Sequence, residues 1–184
     1  MVKAWKRIEP TEVTKVGWRT IVTKKFIDAR GDELTFDTMD VEGREYAGAI
    51  AITEDNKVIV ARQFRPGPEK IFDEIPGGFV DPGEDPQTAV CRELLEETGY
   101  RAGKVTNLGF YHKDCYINAK WHVFFITGCQ KVQEPEMGHT EDIEVLLLPI
   151  DEFIEGAKHN NMTDGTMVLM AYDKLLELKN KSVQ

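Results

Sequence analysis

The sequence has few cysteines and no long apolar run, and both absences exclude classes of protein. Its 184 residues include three cysteines, Cys91, Cys115 and Cys129, which form no CxxC pair. An odd number of widely spaced cysteines argues against a disulfide framework or a zinc site. We therefore expect three buried or half-buried free thiols. No segment approaches the roughly 18 uninterrupted apolar residues that a membrane span requires, so no membrane partner is expected.

Basic residues are fewer than acidic residues in this sequence. The chain has 23 Lys and Arg against 32 Asp and Glu, which gives a formal net charge of -9. Because an acidic surface repels nucleic-acid backbones, a long RNA or DNA partner is disfavoured. The same carboxylates are compatible with binding hard divalent cations. The first residues lack the apolar run of a secretory signal, and we expect a cytoplasmic address.

Hydrophobic periodicity predicts a strand-rich chain with helices inserted between the strands. This order of elements predicts an α+β fold, a mixed α/β/α sandwich. We predict that residues 1–45 form a strand-rich segment separate from a main domain at 46–184. The predicted strands lie at 18–27, 34–39, 48–52, 58–61, 71–75, 105–111, 121–127 and 143–148, and the predicted helices at 86–98, from 149 onward, and at 165–178.

The helix predicted at 86–98 carries three glutamates on one face. Asp85 is a suitable N-cap residue, and Gly99 stands just after the last helical position. The i, i+3 and i+4 spacing of Glu93, Glu96 and Glu97 brings their carboxylates together, where like charges repel each other. A cation among them would remove that repulsion, and magnesium prefers such hard oxygen ligands. For an isolated glutamate pattern, a solvated acidic face is the alternative.

The wider pattern around these glutamates is much more specific. A glycine is followed after five residues by Glu, then after seven by Arg-Glu-Leu-Leu-Glu-Glu-Thr-Gly. It resembles the Nudix box, and only Tyr100 departs from it, at a packing position where an aliphatic residue is usual. Chance agreement is on the order of 10⁻⁸ per starting position. The seven matching positions of fixed identity are Gly78, Glu84, Arg92, Glu93, Glu96, Glu97 and Gly99.

This resemblance implies a Nudix fold and a metal-dependent hydrolase. Glu93 and Glu97 match the principal metal ligands, and Glu96 matches a further ligand with a catalytic role. The backbone carbonyl of Gly77 matches another ligand. The implied cofactor is Mg²⁺, with Mn²⁺ possible, and the implied reaction is attack of an activated water on one phosphorus of a diphosphate. Residues of the box with a structural role are Gly78, Gly99 and the bracing pair of Glu84 and Arg92.

Residues outside the box resemble the ADP-ribose pyrophosphatase branch of the family. The segments 60–65 and 74–78 read Val-Ala-Arg-Gln-Phe-Arg and Glu-Ile-Pro-Gly-Gly. Arg65 is a candidate for binding a phosphate or ribose, and an ion pair with Glu74 is the alternative. Lys113 could offset the charge of the substrate. Tyr111 or Tyr116 could stack on a base, with packing of a strand-end aromatic in the core as the alternative. Arg65, Glu74, Lys113 and Tyr116 are therefore the candidate substrate-binding residues.

A late loop at 138–143 is the place where this branch often supplies a base and a further metal ligand. Glu141 falls where that ligand is expected, and it is also a candidate base. His139 falls where some members place a glutamate base, and histidine can accept a proton near neutral pH. A solvent-exposed loop histidine is the alternative for His139.

The substrate implied by the resemblance is a small nucleotide, with ADP-ribose, cleaved to AMP and ribose 5-phosphate, as the leading candidate. Many such hydrolases carry a proline about fifteen residues after the box, which this chain lacks. The alternative substrates are therefore another nucleotide sugar, a dinucleoside polyphosphate or a nucleoside triphosphate. An isopentenyl diphosphate isomerase and a non-catalytic ligand sensor are further alternatives. The amino-terminal strands, with Trp5 and Trp18, resemble an appendage that joins subunits, so we expect a homodimer.

Overall fold

The structure is a computed structural model that describes residues 2–17, 19–136, 138 and 142–181, and only the backbone of residues 10 and 40–42. The chain divides into two compact units. Unit 1 comprises Met1–Glu45 and Tyr111–Lys120, and unit 2 comprises Tyr46–Phe110 and Trp121–Gln184. The assignment of domains at 1–45 and 46–184 stays a prediction.

Unit 1 is built on antiparallel strands. β1 (Lys6–Val16) pairs with β2 (Arg19–Ile27), which pairs with the first part of β3 (Glu33–Thr53). The sequence patterns did not indicate β1, because its Lys, Glu and Thr residues show no apolar alternation. Trp5, which directly precedes β1, packs against β3, with its ring stacked on that of Phe36 at 5.9 Å between centroids.

The prediction of two separate strands at 34–39 and 48–52 is wrong, because β3 runs without a break from Glu33 to Thr53. Gly43 and its charged neighbours are typical of a turn, yet the backbone continues through them. Pairing explains the continuity. The early residues of β3 bind β2, and Tyr46, Ala47 and Gly48 pair with β6.

Unit 2 contains the main apolar core and most of the remaining strands, while residues 117–120 at the start of the ninth strand belong to unit 1. β4 (Lys57–Arg65) pairs antiparallel with the last residues of β3, with β5 (Lys70–Glu74) and with β10 (Ile143–Pro149). β6 (Gly77–Phe79) pairs with β3, while β7 (Tyr100–Arg101) and β8 (Lys104–Tyr111) pair with β9 (Ile117–Lys131). Residues 49–52 and 58–61 are buried throughout, which confirms the prediction of strands covered on both faces.

Three helices complete the described elements, α1 (Pro86–Thr98), α2 (Ile150–Lys158) and α3 (Gly165–Lys181). The capping of α1 is as predicted. The Asp85 carboxylate accepts hydrogen bonds from the backbone N–H groups of Gln87 and Thr88, and Gly99 ends the helix in the left-handed conformation with φ 72°. α1 buries Val90 and Leu94 in the core. The combination of sheets and helices confirms the α+β class.

All three cysteines are free thiols, as expected. Cys129 is buried in the core and Cys91 is half-buried, but Cys115 is exposed, so the expectation of burial is wrong for that residue. Cys115 lies in the connection between β8 and β9, where the chain has no apolar pattern to bury it. Across the described residues, no helix is long and apolar enough to cross a membrane.

Candidate active site

The side chain of Arg92 links the loop before α1 to the acidic face of the helix. Its Nε and Nη2 atoms donate to the Glu84 carboxylate at 3.2 and 3.1 Å. Nη1 donates to Glu93 at 2.9 Å and to Glu96 at 3.1 Å, and Nη2 also donates to the carbonyl oxygen of Phe79 at 3.2 Å. These hydrogen bonds raise the pKa of the Arg92 guanidinium, which therefore stays charged. The bond to Glu84 contributes most to this effect. One cation thus offsets the repulsion within the cluster.

The bond between Glu84 and Arg92 makes a pH-dependent contribution to stability. Hydrogen bonds from Arg92 and from the N–H of Asp81 hold the pKa of Glu84 below its ordinary value of 4.5. A lowered pKa in the folded state stabilises the fold above the unfolded pKa, and this stabilisation is lost as the pH falls through the folded value. We expect the difference in unfolding free energy between wild type and Glu84→Gln to be constant above about pH 5.5 and to shrink in more acidic solution. Urea unfolding across this range measures it, and a difference that grows toward acid would contradict the assignment.

Glu97 and Gly77 connect the helix to the turn before the box. The carboxylate of Glu97 accepts a hydrogen bond of 2.8 Å from the backbone N–H of Gly77. Glu97 is only 8% exposed, although its side chain is polar. Gly78 lies directly against Glu93, since a Cβ atom at Gly78 would stand 2.5 Å from the carboxyl carbon. The backbone of β6 therefore lies beside the helix face that carries the glutamates.

These groups fit a divalent cation by their chemistry. Glu93, Glu96 and Glu97 supply carboxylate oxygens and Gly77 a carbonyl oxygen, which are the hard ligands that Mg²⁺ prefers. As they stand, the described side chains include no group of three His, Cys, Asp or Glu that could hold a metal ion. The carboxylates of Glu93 and Glu96 are turned toward Arg92, and Glu97 toward Gly77. These carboxylates would have to turn to surround an ion.

Arg65 and Glu74 form the ion pair that the sequence left as one of two alternatives for Arg65. Arg65 Nε donates to Glu74 at 2.5 Å, and Glu74 is fully buried. The Arg65 side chain is still 43% exposed, so the pairing does not prevent it from also binding a ligand. Thr163 donates a further hydrogen bond to Glu74. Sequence reasoning missed Thr163, because it stands 89 residues away and no local pattern marks it.

Lys113 and Tyr116 belong to unit 1, whereas Arg65 and Glu74 belong to unit 2. Tyr116 lines a cavity of about 550 Å³ in unit 1, and its ring lies 6.4 Å from that of Phe36. Aromatic rings and one lysine line this cavity, namely Trp5, Phe26, Phe36, Tyr116 and Lys24. His139, Glu141 and Trp18 lie outside the described residues, so their predicted roles stay predictions.

Comparison with known proteins identifies the family. The model of the NUDIX domain matches residues 43–167. The methanol dehydrogenase activator of Bacillus methanolicus is 31% identical over 179 residues, which cover 89% of this chain and 96% of that protein. The ADP-ribose pyrophosphatase of Bacillus subtilis (strain 168) is 30% identical over 166 residues, covering 85% and 90%. A solved structure described as an ADP compounds hydrolase has a TM-score of 0.80 at 19% identity and covers 97% of both chains, which shows the same fold.

The chain therefore belongs to the NUDIX family. With every fixed residue of the box in place, it is a Nudix pyrophosphohydrolase. The predicted resemblance to the ADP-ribose pyrophosphatase branch is confirmed by the second of these relatives. The isomerase and the non-catalytic sensor are not favoured by these relatives.

Proposed function

We propose that the protein hydrolyses the diphosphate linkage of ADP-ribose, releasing AMP and ribose 5-phosphate. The observation that carries this proposal is the glutamate face of α1 beside the backbone of β6 in a complete Nudix box. The choice of ADP-ribose is supported by the 30% identity to an ADP-ribose pyrophosphatase over 85% of the chain. The 29% identity to the ADP-sugar pyrophosphatase of Mus musculus over 74% of the chain supports the same class of substrate.

The metal site of the proposal uses Glu93, Glu97 and the carbonyl of Gly77, with Glu96 as a further ligand and catalytic group. A bound Mg²⁺ or Mn²⁺ would lower the pKa of a water molecule and neutralise charge on the phosphoryl oxygens. Arg92 would hold Glu93 and Glu96 in place until the cation binds. Glu141, as base or ligand, and His139, as base, complete the proposal from the sequence.

Substrate binding is assigned to the residues that the sequence indicated, Arg65, Glu74, Lys113 and Tyr116. Arg65 has a partly exposed side chain whose planar guanidinium suits a pair of phosphate oxygens. In unit 1, Tyr116 and the neighbouring aromatic rings offer apolar surface of the kind on which a nucleobase stacks. Lys113 would offset part of the charge of the diphosphate. Glu74 would serve by holding Arg65.

We also propose that the protein is a homodimer assembled through its amino-terminal strands. Large apolar side chains of this region are exposed, with Val13 and Val16 at 60% and 62% and Trp5 at 46%. Exposed strands with apolar residues favour association with another chain. Light scattering coupled to size exclusion measures the mass directly, and a monomer at micromolar concentration would refute the dimer. The expected cytoplasmic address stays a prediction.

The test of the proposed function is a magnesium-dependent hydrolysis screen with products identified by mass. ADP-ribose, other nucleotide sugars, dinucleoside polyphosphates and nucleoside triphosphates are compared at equal concentration. We expect AMP and ribose 5-phosphate from ADP-ribose at the highest kcat/KM, and we expect a chelator to abolish turnover and added Mg²⁺ to restore it. A higher kcat/KM for another diphosphate would show that this compound, and not ADP-ribose, is the preferred substrate. Turnover that survives complete chelation would refute the metal assignment.

A further inference from the structure

The loop between α2 and α3, residues 159–164, is bonded to two adjacent acidic residues at the end of β5. Asn161 accepts a hydrogen bond of 2.9 Å from the backbone N–H of Asp73, and its side-chain amide donates to the Asp73 carboxylate at 2.8 Å. Two residues later, the hydroxyl of Thr163 donates to the Glu74 carboxylate. Met162, between them, is buried. The loop therefore holds each of these carboxylates by a separate bond.

Of the two carboxylates, that of Glu74 needs hydrogen-bond donors more, because Glu74 is fully buried. A buried charge is tolerated only when it is paired and hydrogen-bonded. Its Oε1 accepts from Thr163 and its Oε2 accepts from Arg65 Nε. Since each oxygen has its own donor, the Thr163 hydroxyl fixes the rotation of the carboxyl group. That rotation in turn sets where Oε2 holds the guanidinium of Arg65.

Arg65 stands at the end of β4 with its Nε bound and its side chain 43% exposed. Among the described residues, the one hydrogen bond of its guanidinium is that from Nε, and its one ion pair is with Glu74. A guanidinium held at Nε keeps two Nη donors in a fixed plane, which is the arrangement that binds two phosphate oxygens at once. Its affinity for a diphosphate then depends on how well the plane is oriented before the substrate arrives.

We propose that Thr163 is a positioning residue that orients Arg65, through Glu74, for binding of the substrate diphosphate. This inference rests on the proposed function, in which Arg65 contacts the substrate. In this proposal Thr163 bonds Glu74, which lies outside the Nudix box, so Thr163 acts on binding and leaves the chemical step unchanged. The α2–α3 loop thereby contributes to substrate affinity from outside the Nudix box.

The chain supplies a matched control one residue away. Asp73 is held by the same loop through Asn161, and it pairs with Arg62 at 2.5 and 3.0 Å. Arg62 also lies 3.7 Å from Glu144. Asn161→Ala therefore weakens the anchoring of the same loop to the same strand, but it leaves the bonds of Glu74 to Thr163 and Arg65 intact. A general loosening of the loop would affect both variants alike.

The experiment measures KM and kcat for ADP-ribose in Thr163→Val, Thr163→Ser and Asn161→Ala. We expect Thr163→Val to raise KM about tenfold, equivalent to about 1.4 kcal/mol, with kcat within about twofold of wild type. Thr163→Ser keeps the hydroxyl and should restore the wild-type KM, and Asn161→Ala should leave KM unchanged. Equal KM values in wild type and Thr163→Val, or an equal rise in Asn161→Ala, would overturn the proposal.

A double-mutant cycle with Arg65→Lys tests whether Thr163 acts through Arg65. Lysine lacks the planar fork, so Thr163→Val should add little to the KM of Arg65→Lys, and fully additive effects would count against the proposal. The NMR signal of Arg65 Nε–H gives a readout that needs no turnover. It should shift in Thr163→Val and stay in place in Asn161→Ala. If the wild type does not cleave ADP-ribose, the proposed function fails, and an Arg65 signal unmoved by Thr163→Val would separately overturn the positioning role.

Discussion

Replacing Glu97 by glutamine is expected to lower kcat/KM by on the order of 10³-fold, or about 4 kcal/mol of transition-state stabilisation. The change removes one negative charge from the proposed metal site. The amide oxygen can still accept the hydrogen bond from the Gly77 N–H, at 2.8 Å in the wild type. We therefore expect the fold to persist while the affinity for Mg²⁺ falls. Steady-state kinetics across a magnesium titration, with thermal unfolding of the same samples, measures both effects.

Glu177→Gln is the matched control for Glu97→Gln. Glu177 is an exposed glutamate on α3, outside the Nudix box, so the same loss of one charge occurs away from the proposed site. This control should keep the activity and magnesium dependence of the wild type. If Glu97→Gln kept most of the magnesium-dependent activity, the assignment of Glu97 as a metal ligand would be wrong.

Gly78→Ala is expected to lower kcat/KM by about 100-fold with little change in the unfolding temperature. A methyl group at this position would stand 2.5 Å from both the carboxyl carbon and Oε1 of Glu93. The atoms in its way are the end of a flexible side chain, so Glu93 can turn aside at small cost to the fold. The displaced carboxylate would no longer lie where the proposed metal site requires it. A higher magnesium concentration should be needed for half-maximal activity.

Gly67→Ala separates this effect from a general cost of replacing glycine. Gly67 lies in the turn between β4 and β5, and an added Cβ there would meet no atom within 4 Å. We expect wild-type kinetics for this control. If Gly78→Ala were as active as Gly67→Ala, Glu93 would not need its present position for catalysis.

Local sequence signals predicted α1 with its limits. An N-cap aspartate, a proline at the first turn and a glycine after the last one act through bonds to neighbouring residues, so they can be read from the chain itself. The spacing of Glu93, Glu96 and Glu97 on one face follows from helix geometry in the same way. The continuity of β3 could not be predicted like this. It depends on pairing with β2 and β6, whose residues are distant in sequence.

The contacts of Arg65 at the candidate site also depend on residues that are distant in sequence. The sequence placed Arg65 and Glu74 on neighbouring segments and left an ion pair and a phosphate contact as alternatives. It contained no signal for Thr163, since a threonine in a loop is typical of many surfaces and its partner lies 89 residues away. The position of Arg92 between Glu84, Glu93 and Glu96 was only partly foreseeable, because the resemblance implied the bond to Glu84 alone.

The family, the α+β class and the glutamate face of α1 could be predicted from the amino-acid sequence, because they depend on a fixed motif and on short-range periodicity. Three contacts became visible only in the folded chain. Arg92 bonds Glu93 and Glu96 in addition to Glu84, Gly78 lies against Glu93, and Thr163 bonds the buried Glu74. These contacts join segments that meet only when the sheets and helices pack. For the fully buried Glu74, burial makes the polar partners necessary, since an unpaired charge inside the protein would strongly destabilise the fold.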